Sequence, residues 1–237
     1  MIAPYTLALH GVMAGLCLGS LIYLFYKKKD SNSKIYKNYF NWFLLFFLYN
    51  AALITPLLVF KEVFAASAYF YLLALLFLGI ACWNAFKVGV SLLLHDKRLE
   101  KFWSGAYIIG IIGSVFLQFL FFEIPLIAPG GKWIFWYSNN IAYFYIFFMF
   151  VAGWTFAAAF IVGFKNLGSL QLKIKALALF GAGAVLPFAA FYYFRAVRIE
   201  HVYLAFFFSI LGLVFFLAGN LVGLFKRRVV SELTIKS

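Results

Sequence analysis

The feature that most constrains this chain is a series of seven stretches, each about 20 residues or longer, with almost no charged side chains. About 20 helical residues cross a bilayer core about 30 Å thick, because each residue advances a helix by about 1.5 Å. The stretches are therefore predicted to be transmembrane helices. They cover residues 5–26, 38–60, 67–94, 102–127, 139–164, 176–195 and 202–225.

The composition favours helices in lipid over other classes of protein. Hydrophobic residues make up 66% of the chain and charged residues 11%, whereas a soluble domain carries about twice that share of charge. The apolar runs are also continuous, while a transmembrane β-barrel would show short segments of alternating polarity. We therefore predict an all-α, polytopic integral membrane bundle that forms a single domain over residues 1–237.

The distribution of basic residues predicts the orientation of this bundle. Cytoplasmic connections of membrane proteins carry an excess of Lys and Arg. With the N-terminus outside and the C-terminus in the cytoplasm, fifteen of the twenty basic residues lie inside: Lys27, Lys28, Lys29, Lys34, Lys37, Lys97, Arg98, Lys101, Lys165, Lys173, Lys175, Lys226, Arg227, Arg228 and Lys236. We expect a multi-pass protein of the plasma (inner) membrane. Anchoring beside anionic lipid accounts for the net charge of +13, so no nucleic-acid partner is expected.

Glycines recur at intervals of four residues in two of the stretches. Gly11, Gly15 and Gly19 share one face of the first predicted helix, and Gly219 and Gly223 share a face of the last. Small residues at this spacing allow two helix backbones to approach closely in a membrane. We expect these faces to pack against other helices of the bundle, with an oligomer interface as the alternative.

Polar residues near the predicted outer side indicate a ligand-binding pocket. Ionisable groups within membrane helices are costly and usually functional. His10, Glu123 and Arg195 fall at similar predicted depths, and Asn139 and Asn140 lie nearby. We predict that these five residues line an outward-facing pocket for a small molecule. The alternative is that their side chains extend toward the lipid headgroups.

A second group of polar residues lies toward the predicted inner side. Asn84 and Lys87 are three residues apart and share a helix face, and Asn220 lies at a similar depth in the last helix. We predict an inner polar cluster of these three residues. Alternatively, Lys87 extends along its helix toward the basic connection.

The outer connection before the fifth helix is rich in aromatic residues. Trp133, Trp136 and Tyr137 fit a belt of amphipathic rings at the membrane interface. The alternative is a hydrophobic lid over an outer pocket.

No catalytic, metal or cofactor motif accompanies these features. The chain has no HExxH, G-x-S-x-G or P-loop sequence, and only one of its three histidines lies in an apolar stretch. Cys17 and Cys82 lie in apolar runs without metal-ligand spacing and are expected to be packing residues. We therefore expect neither an enzyme nor a bound cofactor.

Three functions remain open from the sequence. A membrane receptor or sensory input module would use the outer pocket and signal through a separate protein partner at its cytoplasmic face. A small-solute transporter or channel would use helices interrupted by Pro56 and Pro187. An accessory subunit of a larger membrane complex would use the glycine faces for assembly. The receptor is the function that we predict.

Overall fold

The computed structural model places seven long helices and one short hairpin in the part of the chain that it describes. It describes residues 3–27, 34–59, 64–94, 96–121, 125–127, 131–135, 142–164, 167–194, 196 and 198–234, with only the backbone at 27, 34–36, 38–39, 64–65, 126, 135 and 220–234. The elements are α1 (Pro4–Lys27), α2 (Lys34–Val59), α3 (Phe64–Leu93), α4 (Lys97–Leu120), β1 (Leu126–Ile127), β2 (Ile134–Phe135), α5 (Ala142–Gly163), α6 (Leu170–Phe194) and α7 (Ile199–Thr234). Each helix is long and apolar enough to cross a membrane. The predicted seven-helix, all-α class is confirmed to that extent.

Two helices begin at least five residues earlier than predicted, because their first turns are polar. The helix α4 begins at Lys97, where the Asp96 side chain caps it by accepting a hydrogen bond from the Arg98 backbone N–H at 2.7 Å. The helix α6 begins at Leu170, preceded by the Ser169 hydroxyl, which accepts from the Leu172 N–H at 3.3 Å. The apolar stretches alone predict that these two helices begin five and six residues later.

The fourth predicted helix also ends earlier than expected. The helix α4 stops at Leu120, and residues 126–127 instead form β1, which pairs antiparallel with β2. Pro125 has no backbone N–H and disfavours a helical residue before it, so it favours an end of the helix before this point. Between the two strands, Gly131 has a φ of +68°, a conformation that favours glycine. The predicted stretch 102–127 therefore contains both a helix and the first strand of a hairpin.

Six of the helices surround a central cavity, and α4 lies outside them. Close contacts join α1 to α2, α2 to α3, α3 to α5, α5 to α6 and α6 to α7, while α4 packs mainly on α3. Within the described residues, α1 and α7 are not a closely packed pair, although both line the cavity. The seam between α1 and α7 is therefore the least tightly packed part of the wall.

The β1–β2 hairpin bridges this seam at one end of the bundle. The backbone N–H groups of Ala3 and Tyr5 donate to the carbonyl oxygens of Gly131 and Lys132, at 2.9 and 3.2 Å. The Thr6 hydroxyl accepts from the hairpin backbone at 2.9 Å. We call this end of the molecule the hairpin end. The helix α1 begins there, so these hydrogen bonds hold the start of α1 and the hairpin together.

Two helices approach each other very closely where α5 crosses α6. A Cβ atom added to Gly153 would lie 2.5 Å from the carbonyl oxygen of Gly183. A Cβ added to Gly183 would lie 2.6 Å from the carbonyl oxygen of Gly153. Backbone atoms cannot yield as a flexible side chain can, so both positions require glycine.

The glycine face of α1 does not pack as predicted. A Cβ added to Gly11, Gly15 or Gly19 would meet nothing within 4 Å. The helix α1 instead buries the opposite face, including Met13 and Cys17. The expectation that these three glycines pack within the bundle is therefore wrong for the described residues. Their use as an interface with another chain stays a prediction.

The glycine pair in the last helix has a different outcome. A Cβ added to Gly219 would come within 2.7 Å of the Leu179 side chain, so this glycine does admit a neighbouring helix. Gly223 lies where only the backbone is described.

Candidate ligand-binding cavity

Of the five residues predicted to form the outer pocket, the structure describes His10. Its side chain is buried and faces the interior of the bundle. Glu123, Arg195, Asn139 and Asn140 lie outside the described residues, so their part in the pocket stays a prediction. Within the described chain, the hydrogen-bond partners of His10 are not among the five residues predicted for the pocket.

His10 joins three helices through its two ring nitrogens. Its Nδ1 lies 2.8 Å from Oδ1 of Asn50 on α2, and its Nε2 lies 2.6 Å from the hydroxyl oxygen of Tyr193 on α6. Asn50 in turn donates from Nδ2 to the Phe46 carbonyl oxygen at 2.7 Å. Both His10 and Asn50 are almost fully buried, at 3% and 1% exposure. We call His10, Asn50 and Tyr193 the polar triad.

These contacts fix the direction of each hydrogen bond in the polar triad. Because Asn50 uses Nδ2 to donate to a carbonyl, its Oδ1 is the acceptor that faces His10. The His10 Nδ1 therefore carries the proton, and Nε2 accepts from the Tyr193 hydroxyl. A neutral imidazole satisfies all of these bonds at once. The triad thus carries polar atoms into the interior without placing a charge there.

The polar triad lies in the wall of a cavity of about 110 Å³. Its lining is mostly apolar and comes from α1, α2, α3, α5, α6 and α7. Along α2 it extends from Asn50 to Trp42, which is about 12 Å at the usual rise of a helix. A mainly apolar space with a few fixed polar groups is typical of small-molecule sites.

Aromatic side chains close the cavity on the side away from the hairpin end. The Trp42 ring lies 4.4 Å from the Phe216 ring and stacks on Phe46 at 5.1 Å, measured between ring centroids. Phe43 and Phe156 contact the Phe216 ring at 5.4 and 6.4 Å. This aromatic floor joins α2, α5 and α7 beneath the cavity. The described residues therefore form a pocket that is closed at one end.

Trp133 of the hairpin packs near the other end of the cavity, against one residue of its lining. Its indole is 7% exposed and contacts the rings of Tyr5 on α1 and of Tyr203 and Phe206 on α7. Phe206 also lines the cavity. Trp133 thus packs inward on α1 and α7, and whether it belongs to a belt or a lid stays a prediction. Trp136 and Tyr137 lie outside the described residues.

Replacement of Trp133 by alanine should release the hairpin. The indole is the main hydrophobic contact between the hairpin and α7, and truncation of a buried Trp costs about 3 kcal/mol or more. We expect trypsin to cleave after Lys132 about tenfold faster or more, because cleavage follows the population of undocked hairpin. Trp103→Ala, at a 51% exposed position on α4, is the control. Equal cleavage rates in the two variants would contradict the lid.

Two members of the predicted inner polar cluster, Asn84 and Lys87, have described side chains. Asn84 donates from Nδ2 to the Ile80 carbonyl oxygen of its own helix, at 3.2 Å. Lys87 places Nζ 5.1 Å from the centre of the Trp83 ring, one turn earlier on α3. These two residues therefore have separate partners. The Asn220 side chain is not among those described, so its contact with them stays a prediction.

Two features of the cavity could not be predicted from the sequence. Tyr193 lies in the run Phe191-Tyr-Tyr-Phe194, where nothing in the sequence separates it from its aromatic neighbours. Gly153 and Gly183 lack a repeat of glycines at spacing four. Within the described ranges no three His, Cys, Asp or Glu side chains lie together, so we assign no metal site there.

No protein-family model, curated protein or solved structure matches this chain at a significant level. The function is therefore inferred from the cavity, its residues and the distribution of charge.

Proposed function

We propose that this chain is a seven-span membrane receptor or sensory input module that binds a small molecule in its central cavity and signals through a separate protein partner. In this proposal the N-terminus and the hairpin end lie outside, the C-terminus lies in the cytoplasm, and the protein is in the plasma (inner) membrane. No reaction is assigned to the cavity.

The observation that carries the proposal is the polar triad in the cavity wall. Buried polar groups within a membrane helix bundle cost free energy and are usually retained for function. His10, Asn50 and Tyr193 come from α1, α2 and α6, so a ligand that alters one of their hydrogen bonds acts on three helices together. The aromatic floor supports a receptor over a channel, because it closes the pocket before it reaches the opposite end.

The charge distribution supports the proposed orientation and partner. Basic residues concentrate in the connections and tail placed on the cytoplasmic side, in agreement with the positive-inside rule. A protein partner there would receive a shift of helix positions. The open glycine face of α1 offers a second surface, for a partner helix or for another copy of the chain.

Small molecules that co-purify with the protein provide the test. We expect the chain in nanodiscs to retain a stoichiometric compound, detected by mass spectrometry after extraction, and Asn50→Leu to lose it. Adding the compound back at 100 times its Kd should stabilise the native protein by about 2.7 kcal/mol. Phe207→Leu, at a 59% exposed position on α7, is the matched control. A native protein that holds nothing beyond bulk lipid would contradict the proposal.

A small-solute carrier is the second candidate. The cavity touches α2, α3 and α6 and includes Pro187, which interrupts the hydrogen bonds of α6 near the α5–α6 crossing. Alternating access needs such mobile helices around a central site. Flux of the co-purified compound into sealed liposomes would favour a carrier, whereas binding without flux would favour the receptor.

A further inference from the structure

We propose, building on the function above, that the ligand is an uncharged, lipid-soluble molecule with one hydroxyl or carbonyl group, and that it enters from the bilayer between α1 and α7. The chemistry of the cavity lining defines the class of ligand. The packing around the cavity defines the route.

The lining favours a neutral ligand. Among the described residues that border the cavity there is no Asp, Glu, Lys or Arg, and most side chains are aliphatic or aromatic. A charged ligand would lose its hydration without gaining a countercharge from these residues, which is strongly unfavourable. A neutral, mostly apolar molecule loses little and gains contact with the aromatic floor.

The polar triad selects one hydrogen-bonding group on that molecule. Asn50 has two N–H bonds on Nδ2, and the described hydrogen bonds use one of them, to the Phe46 carbonyl. The second can donate to a ligand oxygen. Asn50 lies at the end of the cavity nearer the hairpin, so the ligand would lie with its oxygen at that end.

The seam between α1 and α7 is the least tightly packed part of the described wall. At one end of the cavity the rings of the aromatic floor pack together, and at the other Trp133 contacts Phe206 of the lining. On the sides, α2, α3, α5, α6 and α7 are joined by close contacts, whereas α1 and α7 are not closely packed within the described residues. The faces of α1 and α7 beside the seam are apolar, with Leu16 and Tyr203 exposed. A molecule dissolved in the bilayer reaches this seam without crossing water.

Photolabelling of the full chain in nanodiscs tests the class and the route together. Three alkyne-tagged diazirine probes are compared: a long-chain alcohol preloaded in the lipid, the carboxylate of the same chain length, and a short water-soluble alcohol added outside. Labelled residues are identified by mass spectrometry. We expect the long-chain alcohol to label Met149 in the cavity at least tenfold more than either other probe, and all lipid-borne probes to label the exposed Phe147.

Two substitutions on α7 add a matched pair. Ala205→Trp fills the cavity from α7 and should reduce labelling of Met149 at least fivefold, whereas Ile210→Trp on the exposed face should leave it unchanged. The comparison of probes in the native protein does not depend on either variant folding.

Each contrary result overturns a different statement. Equal or stronger labelling of Met149 by the carboxylate would overturn the neutral class and leave the receptor proposal intact. Labelling by the short water-soluble alcohol alone would overturn the route through the bilayer. Labelling of Phe147 without Met149 by every probe would mean that the cavity takes no ligand, which overturns the proposed function as well.

Discussion

Replacement of Gly153 or Gly183 by alanine is expected to lower the free energy of unfolding by about 2–3 kcal/mol, which is the upper range for overpacking a close-packed interior. Each new methyl group would meet the backbone carbonyl of the other glycine at 2.5 or 2.6 Å. Relief requires α5 and α6 to move apart along their whole crossing. Both glycines also line the cavity, so a displacement of α5 or α6 should change the shape of the ligand site.

The same substitution at Gly113 on α4 is the control for this prediction. A Cβ there meets nothing within 4 Å, and alanine is the better helix former by up to about 1 kcal/mol. The native protein and the three variants can be compared by SDS titration in mixed micelles, followed by tryptophan fluorescence. Equal stability of Gly153→Ala and Gly113→Ala would mean that the α5–α6 crossing is looser than described.

The contrast between these glycines shows what a membrane sequence can predict about packing. The repeat of Gly11, Gly15 and Gly19 identified one face of α1, but lipid and protein interior are both apolar, so the pattern did not tell which of them the face meets. The face proved to be open within the described chain. At Gly153 the requirement for glycine comes from the partner helix, 30 residues away, and leaves no local pattern.

The helices themselves were predictable for a simple physical reason. Unpaired backbone groups are so costly in hydrocarbon that an apolar run long enough to cross a bilayer must be helical. Seven such runs gave seven helices. The errors lie at polar ends such as Asp96 and at Pro125, where capping and turn geometry decide instead of apolarity.

Part of the candidate site could also be predicted from the sequence. The sequence placed His10 in a polar pocket, because a histidine within an apolar stretch is costly unless it has partners. The sequence predicts the depth of each polar residue in the membrane, but not the direction in which its side chain points. Asn50 and Tyr193 are 40 and 183 residues from His10, and only the order of the helices around the cavity brings them together.

Removal of His10 is expected to have the second large effect. His10→Leu leaves the Asn50 Oδ1 and the Tyr193 hydroxyl without their buried partner, and each unsatisfied group costs about 1–3 kcal/mol. We therefore expect a loss of about 3 kcal/mol in the free energy of unfolding. Tyr193→Phe removes one donor and leaves the His10 Nε2 without it, so we expect a loss of about 1 kcal/mol.

The double variant separates a connected network from two independent bonds. In His10→Leu/Tyr193→Phe, neither partner of the 2.6 Å bond remains, so no group in that pair is left unsatisfied. The loss should therefore be smaller than the sum of the two single losses, by at least about 0.5 kcal/mol for coupled residues. Thr55→Val is the control, because its hydroxyl donates only to the Ala51 carbonyl within α2.

Additive losses would show that His10 and Tyr193 act separately, and the polar triad would then not transmit a ligand's effect from one helix to another. Non-additive losses would mean that α1 and α6 share one energetic unit through His10. In that case a ligand that takes over the hydrogen bond of Tyr193 changes the stability of α1 as well, although among the described residues α1 packs closely on α2 and not on α6. Such coupling between separated helices is what a receptor of this architecture requires.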